Sequence, residues 1–295
     1  MQINHNKTAY LYVFVEYLCK KPIDNAYTPC YTVYTKSRKE ETKMKNLKKI
    51  LALALAALCV LAFAACGNKS SLTVEEGKLI MATNASFPPY EYYEGDKIVG
   101  IDAEIAGLIA DKLGLTLEIA DIEFDSIIPG VQANKYDMGM AGMTVTDERK
   151  EMVNFSDSYA KGVQVVIVKE DSGIASLDDL KGKKIGVQQA TTGDIYASDD
   201  FGEENVTKYA NGNLAVEGLK GGKVDCVIID NEPAKAYVKA NTGLKILETS
   251  YADEDYAISF NKQNTELQEK VNAALKELIA DGSVQKIVDK YISAQ

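Results

Sequence analysis

Histidine and tryptophan are almost missing from this chain: one histidine, His5, and no tryptophan in 295 residues. The place of that histidine matters more than the count. It precedes Met44, which opens "MKNLKKILALALAALCVLAFAAC", a stretch with the form of a secretory signal. Lys45, Lys48 and Lys49 make the basic start, and Ile50 to Ala65 runs for 16 residues without a charge. That run is short of the ~20 residues that span a bilayer, and it ends in small residues before Cys66. A competing reading, the buried apolar helix of a cytoplasmic protein, lacks both helix caps and a polar face. With residues 1–65 removed no histidine remains. This excludes Ser-His-Asp and Cys-His mechanisms and any His-based zinc site. Of five cysteines only Cys66 and Cys226 lie beyond the signal. Cys226, inside the apolar run "VDCVIID", reads as a buried strand residue.

The "FAAC" ending resembles the lipobox of bacterial lipoproteins, with Phe63 where leucine is commoner. It implies that Cys66 is diacylated and becomes the mature N-terminus, leaving Cys226 without a disulfide partner. Residues 66–76 then form a lipidated polar tether. Residues 1–43 show no sustained period and would put a polar segment before a signal. They read as upstream sequence translated from a wrong start, and disordered. Residues 1–65 carry 10 of the 33 basic and 4 of the 43 acidic residues, so the remainder holds 23 cations against 39 anions. So acidic a domain is a poor nucleic-acid binder.

Beyond the tether the pattern alternates strand and helix. "KLIMAT" (78–83), "LTLEIA" (115–120) and "YDMGMAGM" (136–143) read as strands, separated by helices over 102–113 and 125–135. The βαβαβ order implies parallel strands with covered faces. It restarts with strands at 163–169, 183–188 and 224–230, and "SLDDLKG", "TTGDIYASD" and "NLAVEGLKGG" as helical stretches between them. "DEDYAISF" (253–260) returns as one strand, and an amphipathic helical segment closes the chain. Two such series predict two α/β lobes. Neither opens with a Gly-x-Gly-x-x-Gly or P-loop fingerprint.

"AGMTVTDERKEMVNFSDSY" (141–159) puts a cation where a helix start favours anions. With Thr146 as N-cap, Asp147, Glu148 and Arg149 take the first three helical positions. Free N–H groups and a forked guanidinium at a strand's carboxyl end make a receptor for a carboxylate. A surface arginine paired with its acidic neighbours is the other reading, and spacing does not separate the two. Gly142 permits close approach to the strand backbone, and Thr144 adds a hydroxyl. Thr191 and Thr192 stand at a second strand-to-helix entry. Asp230 ends a third strand, either as an acceptor for an ammonium or as a helix N-cap. Ligands of open α/β sheets bind beyond such carboxyl ends. Phe87, Tyr90, Tyr92 and Tyr93 cluster around Pro88-Pro89, and Phe124 sits at another strand end. Asp102, before an apolar helix, is expected to be an N-cap.

From about Gly77 to Tyr291 the chain resembles the polar amino-acid-binding proteins of ABC importers, the extracellular solute-binding proteins of family 3. The resemblance rests on "ATNASFPPYEY", "IVGIDAEIA", "FDSIIPGVQANKYDMGMAGMTVTDERKEMVNFSDSY", "DLKGKKIGVQQATTGD" and "GKVDCVIID", in family order. It implies a two-lobed periplasmic-binding-protein fold of type 2, each lobe a mainly parallel sheet flanked by helices. Residues 77–161 with 252–295 would form lobe one and 162–251 lobe two, with hinges near Tyr159–Gly162 and Thr249–Asp253. It makes Arg149 the clamp for an α-carboxylate and Asp230 the partner of the α-ammonium. Thr144, Ala141 and Gly142 would sit beside the α-carbon groups, Thr192 would close from lobe two, and Phe87 and Phe124 would wall the side chain. Asn84 replaces an aspartate of several relatives, and Gln188 replaces a lysine of others. Both favour a neutral polar ligand, although Glu91, Glu123 and Asp194 are further sources of charge.

These readings converge on a lipid-anchored extracytoplasmic receptor, on a Gram-positive surface, that hands a free L-amino acid to a permease and its ATPase. It would be monomeric, without cofactor or metal. An enzyme on the same fold, such as a cyclohexadienyl dehydratase using Asp230 or Glu91 as its acid, is the alternative, and an adhesin or sensory partner a further one.

Overall fold

The computed structural model describes residues 72–248 and 250–292. The signal, Cys66, residues 1–43 and Thr249 of the second hinge lie outside the described residues. β1 (Lys78–Thr83) leads to a short meander, β2 (Ser86–Phe87), β3 (Glu91–Glu94) and β4 (Lys97–Val99), and then to α1 (Ile101–Leu113). β5 (Thr116–Asp121), α2 (Ile127–Gln132), β6 (Met138–Gly139), α3 (Asp147–Met152) and β7 (Asn154–Phe155) follow. The second series runs β8 (Ala160–Lys169), β9 (Ile185–Gln188), α4 (Thr192–Phe201), β10 (Val206–Tyr209), α5 (Gly212–Lys220), β11 (Cys226–Asp230), α6 (Asn231–Ala240) and β12 (Leu244–Ile246). β13 (Ala252–Tyr256) and β14 (Ser259–Phe260) return, ahead of α7 (Thr265–Ala280) and α8 (Ser283–Ile292).

One sheet has the order β5-β1-β6-β14-β7, and the other β10-β9-β11-β8-β12 with β13 also paired to β8. Parallel pairing joins β5, β1 and β6 in the first and β10, β9 and β11 in the second. The returning strands β14, β8, β12 and β13 pair antiparallel, so both sheets are mixed. In β8 both alternating sets, Val166 and Val168 on one face and Val165 and Ile167 on the other, are buried. Helices covering both faces explain why this strand and β11 read as unbroken apolar runs. Cys226 is fully buried there, and burial pushes its thiol up to about 12. α1 buries Ile101, Ile105 and Ile109 at helical spacing, each side chain contributing ~1.5–3 kcal/mol. Gly114 ends it in the left-handed conformation, with its N–H on the carbonyls of Ala110 and Asp111.

Some expected elements are shorter or divided. The strand over 136–143 keeps only Met138–Gly139 in the ladder, because the chain turns away at Gly142, where φ is +53°. "SLDDLKG" is a 3-10 turn, Leu177–Leu180, closed by a Ser176–Asp179 capping box. The run 253–260 splits: β13 pairs with β8 in the second sheet, while β14 joins the first.

β8 and β13 cross between the sheets side by side, Ala160 opposite Tyr256 and Gly162 opposite Glu254. Tyr256 is fully buried against this ribbon. A Cβ on Gly162 would meet ring atom Cε1 of Tyr256 at 2.7 Å. Gly162→Ala should therefore cost ~1–3 kcal/mol through overpacking, read as a lower midpoint in denaturant unfolding. An unchanged midpoint would show that the Tyr256 ring moves aside freely.

Candidate functional site

The carboxyl ends of the parallel strands of the two sheets face one another, and the chain enters a helix or turn at each. These entries surround a narrow cavity lined by Asn84, Phe87, Glu91, Phe124, Ala141, Gly142, Thr144, Arg149, Gln188, Thr191, Thr192 and Asp230. All eleven residues singled out as ligand-binding are among them. Glu91 is the addition, and of the three further acids considered it alone reaches the cavity. Glu123 is exposed, and Asp194 is occupied by the Ala190 N–H, the Ser198 hydroxyl and Lys208.

Arg149 is 5 % exposed although it stands in the first turn of α3. Thr146 caps the helix by accepting from the Arg149 N–H, which leaves the side chain free to turn inward. Its Nη1 donates to the Thr144 carbonyl at 2.7 Å and its Nη2 to the Ala190 carbonyl, across the cleft, at 3.0 Å. The ring of Phe124 lies 5.4 Å beneath the guanidinium carbon. The surface-pairing reading of Arg149 is thereby excluded: its neighbour Asp147 pairs with Lys150 instead. Burial pulls the Arg149 pKa down, opposed by the charges of Glu254 and Asp230. Gly142 has φ +53°, and a Cβ there would come within 2.7 Å of Phe87, so only glycine fits both the turn and the aromatic wall.

Asp230 occupies the N-cap position of α6 but makes no side-chain capping bond. Its carboxylate points into the cavity and accepts from the Tyr256 hydroxyl. Burial, then repulsion from Glu254, raises its pKa to about 8. Glu254, on β13, accepts from Thr144 at 2.9 Å and Gln164 at 3.0 Å, tying the crossover to the cavity floor. Asp102 corrects an expectation: the N-cap of α1 is Gly100, and Asp102 lies wholly buried in the first turn. The N–H groups of Ile101 and Asp102 donate to the carbonyls of Pro89 and Tyr90, which draws Asp102 under the cavity. There its Oδ2 accepts from Gly142 N–H at 2.9 Å and Tyr159 OH at 2.8 Å. Burial lifts it to about 6 against those bonds.

Asn84 and Gln188 meet across the cleft, Gln188 Nε2 donating to Asn84 Oδ1 at 3.0 Å while Asn84 donates to the Ile122 carbonyl. Thr144 and Thr192 hydroxyls lie 3.5 Å apart, and Thr191 is spent capping α4. Gln189 donates to Asp125, and Tyr237 to the Ser86 carbonyl. These cross-sheet bonds describe a closed cleft. Phe87 stacks on Tyr90 at 5.8 Å between ring centroids, whereas Tyr93 is an exposed residue.

Residues 79–294 match the model of bacterial extracellular solute-binding proteins, family 3, and the chain belongs to that family. The arginine-binding extracellular protein ArtP of Bacillus subtilis is 38 % identical over 257 residues, covering 84 % of this chain and 100 % of that protein. The crystal structure of the arginine-, lysine-, histidine-binding protein ArtJ from Geobacillus stearothermophilus is 39 % identical with a TM-score of 0.70, over 73 % of this chain and 95 % of that one. An ancestral arginine-binding protein bound to arginine is 44 % identical with a TM-score of 0.69, covering 73 % and 98 %. The protein is accordingly an extracytoplasmic binding protein of the periplasmic-binding-protein type 2 fold, not an enzyme.

The raised acids set a pH dependence. An acid whose pKa rises on folding costs stability wherever the unfolded chain would already be ionised. For Asp230 that cost begins near 3.8 and grows until about 8. Asp230→Asn should therefore gain thermal stability over unliganded wild type as pH rises through that window. A difference that stays constant with pH would remove the buried charge from the account.

Proposed function

We propose that this protein is the capture subunit of an amino-acid ABC importer and that it closes on a free basic L-amino acid. The observation that carries the reading is the charge pattern of one cavity, a buried guanidinium with two buried carboxyls. Arg149 takes the α-carboxylate as a forked donor, Asp230 takes the α-ammonium, and Glu91 takes a cationic side-chain end. Thr144, Thr192 and the backbone at Ala141–Gly142 complete the shell around the α-carbon. Phe87 and Phe124 flank the side chain, and Asn84, Gln188 and Thr191 bound its far end and rim. Asn84 had favoured a neutral polar ligand; Glu91, seven residues on, restores the charge that position lacks. The names of the related proteins, several of them for arginine, support the same choice.

Lobe one is residues 77–161 with 252–295, and lobe two 162–251. The ribbon of β8 and β13 is the hinge, and a ligand bridging the lobes raises the closed population by its differential affinity for that state. The closed monomer docks on a permease driven by an ATPase subunit. Diacylation at Cys66 holds it at the membrane of a Gram-positive surface.

Thermal shift of protein refolded to strip bound ligand tests the substrate: at 100 Kd a true ligand adds about 2.7 kcal/mol. Arginine, lysine or histidine should give the largest shifts, and a panel led by neutral amino acids would contradict the basic assignment. Arg149→Ala should weaken binding by roughly 2–5 kcal/mol, and a loss below about tenfold would contradict the clamp.

A further inference from the structure

Glu91 has no place in the hydrogen-bonding of the closed cleft. It is 1 % exposed, lines the cavity, and neither carboxyl oxygen has a hydrogen-bond partner among the described residues. Asp102 beside it leaves Oδ1 in the same state. Two ionised carboxylates can only accept, so while both are charged the pair has no donor between them. One proton held between the two supplies it. The backbone enforces the pairing: Glu91 is opposite Phe87 in the β2–β3 ladder, and α1 is bonded by its first N–H groups to the carbonyls just before Glu91.

We propose that Glu91 and Asp102 hold one shared proton in the unliganded protein, and that a cationic ligand side chain displaces it while a neutral one does not. This rests on the basic-ligand reading above and adds how the site offsets the burial of four acids around one arginine. The proton resides on Glu91, whose pKa burial and the charge of Asp102 raise well above 4.5, and Glu91 donates to Asp102. The groups facing Glu91 are Asp102 on α1, Asp121 at the end of β5, Asp230 at the end of β11, Tyr90 before β3, Tyr159 before β8 and Tyr237 on α6. Arg149 on α3 lines the same cavity but is bonded to the Thr144 and Ala190 carbonyls. When a guanidinium enters, its N–H donors replace the O–H donor, and the proton leaves Glu91 for the solvent. When a neutral ureido or amide group enters, Glu91 keeps its proton and donates to the ligand oxygen.

Titration calorimetry in buffers of different ionisation enthalpy counts the protons released. L-arginine and L-citrulline share the α-carbon groups and differ at the side-chain end, a guanidinium in one and a neutral ureido group in the other, so proton release through Asp230 is common to both and cancels. At pH ~5.5, about one unit above an ordinary glutamate, arginine should release about one proton more than citrulline. Glu91→Gln should abolish that excess. The wild-type affinity for arginine should also rise by up to ~tenfold per pH unit below the pair's own titration. Arginine bound with no excess over citrulline, or an excess that survives Glu91→Gln, would overturn the proposal and leave the basic-ligand reading standing. Failure of arginine, lysine and histidine to bind at all would instead overturn that reading, and this proposal with it.

Discussion

A buried guanidinium has five N–H donors and no acceptor, and the architecture around the cleft answers to that demand at Arg149. The cap at Thr146 starts α3 where the side chain can turn inward. The Thr144 carbonyl meets it from the loop after β6 and the Ala190 carbonyl from the turn after β9, on the other side of the cleft. Ala190 holds an uncommon φ of +62° in presenting that carbonyl. The same contacts that satisfy the cation therefore join the two sides of the cleft. Only two of the guanidinium's five N–H donors are spent on these carbonyls, and the proposed function gives the others to the ligand carboxylate, so ligand and closure act together.

The acids form the counterpart. Asp230, Glu254, Glu91 and Asp102 are all buried around one arginine. Removing charges from water is expensive unless they are paired or neutralised. Tyr256, Tyr159, Thr144 and Gln164 supply donors to three of the four, each from a segment that crosses or borders the hinge. The ribbon of β8 and β13 and the cavity floor are thus one hydrogen-bonded unit, and the proposed function makes that ribbon the hinge on which a ligand's charges act.

Much of this was legible in the sequence for a physical reason. Arg149 breaks the charge preference of a helix start, and Thr144, Thr191, Thr192 and Asp230 stand where the chain passes from a strand toward a helix, where α/β sheets leave donors and acceptors unpaired. Glu91 was harder to weigh. In "YEYYEGD" it looks like one of several surface acids, and its burial follows from a ladder contact with Phe87 and from the docking of α1 on Pro89 and Tyr90. The meander β2–β4 went unread because Ser86–Val99 holds two prolines and a glycine and lacks clean alternation. Asp102 passed for a cap since capping chemistry is local, whereas its bonds to Gly142 and Tyr159 span 40 and 57 residues.

The proposed function puts the ligand's α-carboxylate on Arg149. Agmatine is arginine without that carboxylate and keeps the guanidinium and an ammonium. Its dissociation constant against that of L-arginine isolates the one interaction. The account predicts that agmatine binds weaker by ~2–5 kcal/mol, at least about thirtyfold. Equal affinities would contradict it.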